Sequence, residues 1–233
     1  GPTFAPVLET YMAATDSLER YYIQAIERKR PERLETVWGP DTGAVPQLGD
    51  IQPITQTPNI FEYVYRRFEL ARKENNANAR YELRERYQPR EVDIEELRFA
   101  IPQQVVDSGT VKLHAPSACG LVRVQMRIEY TKNPTIFRPS GVELSVRRGE
   151  QMIWRGVVLP RRPNHSFVTL VSPLPLGTFH KVFDYGQVQG MMWDVIEYRA
   201  LPSDLLGSNP ARIRVESLQC LDPQRFVEVV PAL

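Results

Sequence analysis

From Val122 to Val146 apolar residues fall on every second position: Val122, Val124, Met126, Ile128 and Tyr130, then Val142, Leu144 and Val146. Arg123, Gln125, Arg127 and Glu129 fill the alternate places. This period of two predicts antiparallel strands with one face on a core and the other in water. Strand-like composition also marks 105–113, 121–131, 142–147, 151–159, 166–171, 191–198, 212–218 and 226–230. Arg148-Gly149 separates two of these runs, and glycine accepts positive φ without a Cβ clash, so 142–147 and 151–159 are expected to form a hairpin. Prolines recur between the runs, at Pro116, Pro134, Pro139, Pro160, Pro163, Pro173 and Pro175. They lack an amide hydrogen and mark turns and strand ends, which favours short antiparallel strands over a parallel sheet with helical crossovers.

The first segment has the other period. Phe4, Leu8, Tyr11, Thr15, Leu18, Tyr22 and Ile26 recur at intervals of three and four, one face of a helix that Pro31 limits. Glu19, Arg20, Glu27, Arg28 and Lys29 lie largely off that face. The face predicts either packing on the β-region or a seam for self-association or a partner helix, with Leu8, Tyr11, Leu18 and Tyr22 as candidate partner-binding residues. Gly39-Pro40, Gly43, Pro46, Gly49 and Pro53 predict an irregular connection over 38–58. Thr57-Pro58 is an N-cap and first-turn pair, and Ile60, Phe61, Val64, Phe68 and Ala71 continue a helical face. A second helix is therefore expected from Pro58 to near Arg86. Glu62 with Arg66, Glu69 with Lys73 and Glu82 with Arg86 would each support it by about 0.2–0.5 kcal/mol. Acids at Glu91, Asp93, Glu95 and Glu96 suit the start of a short helix ending near Pro102.

The fold class expected is α+β: N-terminal helices with an irregular linker over 3–101, then an antiparallel β-sandwich of jelly-roll type over 102–233. A length of 233 residues with 42% hydrophobic composition is enough for a real core.

Charge narrows the partners. Lys and Arg total 29 against 28 Asp and Glu, a formal charge of +1, so no overall basic field draws nucleic acid. Tyr63, Arg66, Arg67, Arg72, Arg80, Tyr81, Arg84, Arg86 and Tyr87 form a local basic and aromatic set, but interleaved acids cancel much of its field. No nucleic-acid partner is expected.

Cys119 and Cys220 are the two cysteines. They are open to two readings, buried free thiols or a disulfide closing a loop of about a hundred residues that would stabilise by roughly 3–5 kcal/mol in an oxidising compartment. The sequence holds no apolar stretch long enough to span a bilayer and no visible signal peptide. Gly1-Pro2 reads as the remnant of tag removal, so the expected context is a piece excised from a larger protein, with any membrane segment outside this chain.

Candidate chemistry is sparse. His114, His165 and His180 are scattered without metal-ligand spacing, and neither Gly-x-Ser-x-Gly nor a glycine-rich phosphate loop is present. No metal site, cofactor or catalytic residue is expected. Glu143, Glu150, Asp184, Asp194 and Glu197 leave an acid pair for glycan hydrolysis open, since that pairing is spatial. Trp154, Trp193, Tyr185, Asp184, Tyr198 and Arg199 are the candidate ligand-binding residues, because flat rings cover sugar faces while polar groups meet hydroxyls. The stretch 179–190, with Gly186 and Gly190 among aromatics, is the candidate binding loop. The expected function is a non-enzymatic interaction or ligand-binding domain of a larger, membrane-associated bacterial protein, with carbohydrate as the candidate ligand. The expected location is extracytoplasmic (periplasmic), with the cytoplasm as the alternative. A structural or assembly subunit and a glycan-processing enzyme are the rival functions.

Overall fold

A computed structural model describes residues 15–37, 57–74, 80–92, 94–96, 104–105, 110–117, 121–130, 141–158, 164–171, 193–200 and 210–221. The first helix, α1, is Asp16–Lys29. Thr15 begins it as an N-cap whose hydroxyl accepts a hydrogen bond from the Leu18 backbone N–H at 3.2 Å. Asp16 and Glu19 sit in the first turn and Arg28 and Lys29 in the last, the arrangement the helix dipole favours. Arg30 closes the helix in the left-handed region and donates its backbone N–H to Ile26 O at 2.8 Å.

The second helix, α2, is Pro58–Arg67, shorter than its predicted extent. Thr57 occupies the N-cap position but its side chain makes no capping bond. Beyond Arg67 the chain turns to strands β2 (Phe68–Glu74) and β3 (Arg80–Glu85), which with β1 (Arg33–Val37), between the two helices in sequence, form an antiparallel sheet in the order β1-β3-β2. The expected helix over 68–86 is thus replaced by a strand pair. Its charged residues pair across strands instead of along a helix. Glu69 stands opposite Arg84 and binds it at 2.6 Å, while Glu82 binds Arg33 at 2.7 Å. Glu62 and Arg66 keep their helical pairing at 2.8 Å.

Within the acidic run after Pro89, Ile94–Glu96 form a short strand, β4, paired antiparallel with 219–221, in place of the expected helix. The remaining strands are β5 (Gln104–Val105), β6 (Thr110–Ser117), β7 (Val122–Tyr130), β8 (Val142–Arg148), β9 (Gln151–Val158), β10 (Ser166–Val171), β11 (Trp193–Ala200) and β12 (Pro210–Leu221). The expected strand at 226–230 lies outside the described residues. One sheet runs β10-β7-β12-β4, with β5 also on β12; another runs β6-β11-β8-β9. All these pairings are antiparallel. The expected hairpin joins β8 to β9 at Gly149, whose φ is 57°.

The period of two is realised in β7, where Val122, Val124, Met126, Ile128 and Tyr130 are buried. They share one core with Leu144 and Val146 of β8, Ile196 and Tyr198 of β11 and Val215 and Leu218 of β12, so the two larger sheets bury their apolar faces together. Each such side chain contributes about 1.5–3 kcal/mol when taken from water. A second core forms on the other face of the five-stranded sheet. Leu121, Leu170 and Leu221 meet Tyr65, Phe68 and Leu83 there, with Ile26 of α1 packed alongside. The N-terminal helices and small sheet therefore cover one end of that face.

Candidate interaction surface

The side of α1 that turns inward is only part of the one its apolar spacing marks: Ile26 packs on the second core, whereas Leu18 does not turn inward. Glu19 is fully buried and accepts a hydrogen bond from Asn59 of α2. Leu18 is 42% exposed and Tyr21 56% exposed. Tyr22 is half-buried, and its ring meets that of Tyr21 edge-on at 5.9 Å between centroids. Partial burial, together with the neighbouring Tyr21, raises the Tyr22 hydroxyl pKa above its ordinary value. Of the four expected partner-binding residues, Leu18 sits at the solvent side of α1 and Tyr22 is half-buried beside Glu19; Leu8 and Tyr11 lie outside the described residues. Tyr21 was not anticipated, although its place one residue from Tyr22 puts it on the exposed flank of the same helix.

Of the six expected ligand-binding residues, Tyr198 and Arg199 have described side chains, and these two stand on opposite faces of β11. Tyr198 is fully buried in the core between the two larger sheets, so it is a packing residue and offers no ring face to a sugar. Burial pushes its hydroxyl pKa upward, and among the described residues that hydroxyl has no hydrogen-bond partner. Arg199, its chain neighbour, is exposed on the opposite face and binds Glu143 at 2.7 Å. Trp193 begins β11 with its backbone opposite Ser117, and Trp154 stands opposite Val146 in β9. Strand β8 lies between those two strands, and both indole side chains lie outside the described residues. Asp184, Tyr185 and the whole 179–190 loop lie outside them too.

Ion pairs line the outer face of the four-stranded sheet. Glu197 receives Arg147 at 3.1 Å and lies 3.8 Å from Lys112, while Glu143 holds Arg199. Asp194 is engaged with the hairpin tip, where the Gly149 N–H donates to its carboxylate at 3.0 Å. Glu143, Asp194 and Glu197 are therefore each engaged by separate cationic or backbone groups. Among the described residues no cluster of His, Cys, Asp and Glu is arranged to hold a metal, and no helix is long and apolar enough to cross a membrane.

Two open depressions flank the small sheet. One, of about 500 Å³, is lined by Glu32, Arg33, Glu69, Arg84, Arg86 and Tyr87 among others. Its charges are already matched: Glu69 binds Arg84 and lies 3.5 Å from Arg86, and these bonds hold its carboxyl below the usual range. Beside it, the buried Arg90 stacks 4.3 Å over the Tyr65 ring. Sequence reasoning missed this cation–π contact, because the two residues meet only when the β2–β3 pair returns the chain to α2, where the Arg90 N–H donates to Arg66 O at 2.7 Å.

Cys220, fully buried at the end of β12, is disulfide-bonded. The chain has one other cysteine, Cys119, which lies outside the described residues. Of the two readings open to sequence, the disulfide is the one found. Comparison with protein-family models, with curated proteins and with solved structures gives no match for this chain.

Proposed function

We propose that this chain is a non-enzymatic assembly subunit, associating with further copies of itself through the solvent side of α1, and that its two larger sheets form a jelly-roll sandwich. Strand order supports the architecture. The sequence β5-β12-β7-β10 in one sheet and β6-β11-β8-β9 in the other means that the chain changes sheet at every step from β5 to β12 except the β8–β9 hairpin. That alternation is the jelly-roll winding, found in shell-forming proteins, lectins and cupins.

Architecture alone does not choose among these uses. Packing favours assembly. The interior is filled by Met126, Ile128, Leu144 and Tyr198, and the outer face of the four-stranded sheet is occupied by mutual ion pairs. The observation that carries the reading is the exposure of Leu18 and Tyr21 within one turn of a helix whose other side is anchored. The disulfide at Cys220 supports an oxidising, extracytoplasmic setting.

Sedimentation velocity on the wild type and on a Leu18→Glu, Tyr21→Lys double variant tests the assignment of the surface. The wild type is expected to sediment faster as concentration rises, and the variant to remain monomeric with an unchanged unfolding temperature. Equal self-association in both proteins would overturn it.

A further inference from the structure

On the half of the five-stranded sheet away from the N-terminal unit, two arginines stand directly opposite one another. Arg127 of β7 is the register partner of Arg214 of β12, and Ser166 of β10 is the partner of Arg127 on its other side. Their chain neighbours Met126, Ile128, Ile213 and Val215 all point into the main core, so both guanidinium groups stand on the outer face. Like charges facing each other across a strand pair are destabilising. Here the nearby acids relieve them only in part. Glu129 is shared, 3.3 Å from Arg127 Nε without the alignment of a hydrogen bond and 3.8 Å from Arg212. Glu216 accepts from Ser166 Oγ at 2.6 Å and from Gln125 Nε2 at 2.9 Å. Arg214 has no counter-group among the described residues, and its Nε is buried without a partner.

We propose that Arg127 and Arg214 form a clamp for a phosphate group, a site independent of the α1 surface. Each guanidinium is a planar fork of donors suited to oxyanions. A carboxylate has two oxygens and is satisfied by one fork; a phosphate presents at least three and can accept from both at once. Its charge also cancels the repulsion that the bare pair retains, so binding and folding are coupled in the same direction. Ser166, next in the row, frames the third side, with its hydroxyl already given to Glu216.

Isothermal titration at constant ionic strength, with sodium chloride making up the balance, tests this with inorganic phosphate and with glycerol phosphate. Wild-type protein is expected to bind phosphate, and Arg214→Gln to weaken it by about tenfold or more, the scale of losing a pair of charge-assisted hydrogen bonds. Arg155→Gln, an exposed arginine on the other sheet, should leave affinity within about twofold, as a distant independent site does. In phosphate-free buffer Arg214→Gln should unfold at or above the wild-type temperature, because it removes a repulsion. Equal binding of both phosphates indicates recognition of the phosphoryl group in an ester; binding of inorganic phosphate alone indicates the free ion. No phosphate binding by the wild type, acetate binding as tight as phosphate, or undiminished binding by Arg214→Gln would each overturn the clamp.

Discussion

Glu62 in α2 accepts a hydrogen bond from Arg123 in β7, a contact that fastens the N-terminal unit to the outer face of the five-stranded sheet across 61 residues of sequence. Glu62 also binds Arg66 one turn along its own helix, and Arg123 reaches Gln219 of β12 at 3.4 Å. The carboxylate is mostly buried and the guanidinium partly so, which places the pair between a surface ion pair and a core one.

Removing one partner leaves the other partly desolvated. Arg123→Ala and Glu62→Gln are each expected to cost about 1–3 kcal/mol in urea unfolding, the range for hydrogen bonds to charged groups. In a double-mutant cycle the coupling should be about 1 kcal/mol or more, since the two touch. Additive effects would show that the N-terminal unit is held by its apolar contacts alone.

Tyr198 offers a sharper contrast. Its hydroxyl is buried with no partner among the described residues, so Tyr198→Phe removes a desolvated group and is expected to be neutral or slightly stabilising, within about 0.5 kcal/mol. Tyr198→Ala opens a cavity in the main core and should cost about 3–5 kcal/mol. Thermal unfolding of both variants checks this; a loss above about 1 kcal/mol in Tyr198→Phe would mean that the hydroxyl is bound.

The strands of the larger sheets were legible because their apolar alternation is long and uninterrupted. Ser166–Val171 falls where its composition puts it, and β7 and β8 follow the spacing of Val122 to Val146. The stretch from Phe68 to Glu85 was misread because Glu, Leu, Ala and Arg are good helix formers, and their i,i+4 charges fit a helix as well as a strand pair. The missed signal was Asn75, Asn76 and Asn78, turn-forming residues between two short alternating runs. Surfaces were less legible than strands. Leu18 and Tyr198 look alike to a hydrophobicity pattern, yet one is exposed and the other sealed, and only the packing of α1 on α2 and of sheet on sheet separates them. The Arg127–Arg214 juxtaposition depends on the register of β7 against β12, for which no local sequence feature exists.

Cys220 should act as a long-range staple. Cys220→Ser is expected to lower stability by roughly 3–5 kcal/mol, the loss for opening a loop of about a hundred residues. A reducing agent should destabilise the wild type by a similar amount and leave Cys220→Ser unaffected. Insensitivity of the wild type to reduction would contradict a stabilising disulfide.

Acid should loosen the small sheet through Glu69. Its pKa is lowered chiefly by the hydrogen bond from Arg84, with further help from Arg86. A carboxylate with a folded pKa below its unfolded one, about 4.3 for Glu, stabilises fully above that value and loses the contribution as pH falls through the folded pKa. The protection of β2 and β3 amides, taken relative to their intrinsic exchange rates, is therefore expected to fall below about pH 4.3, and Glu69→Gln to flatten that dependence. The same acid response in Glu69→Gln would assign it to other carboxylates.

Self-association through α1 is tested most directly by the molar mass of the wild-type protein in light scattering over a hundredfold dilution series. Assembly requires a mass above that of one chain at the concentrated end, falling toward the monomer as the protein is diluted. A constant single-chain mass throughout the series would contradict it.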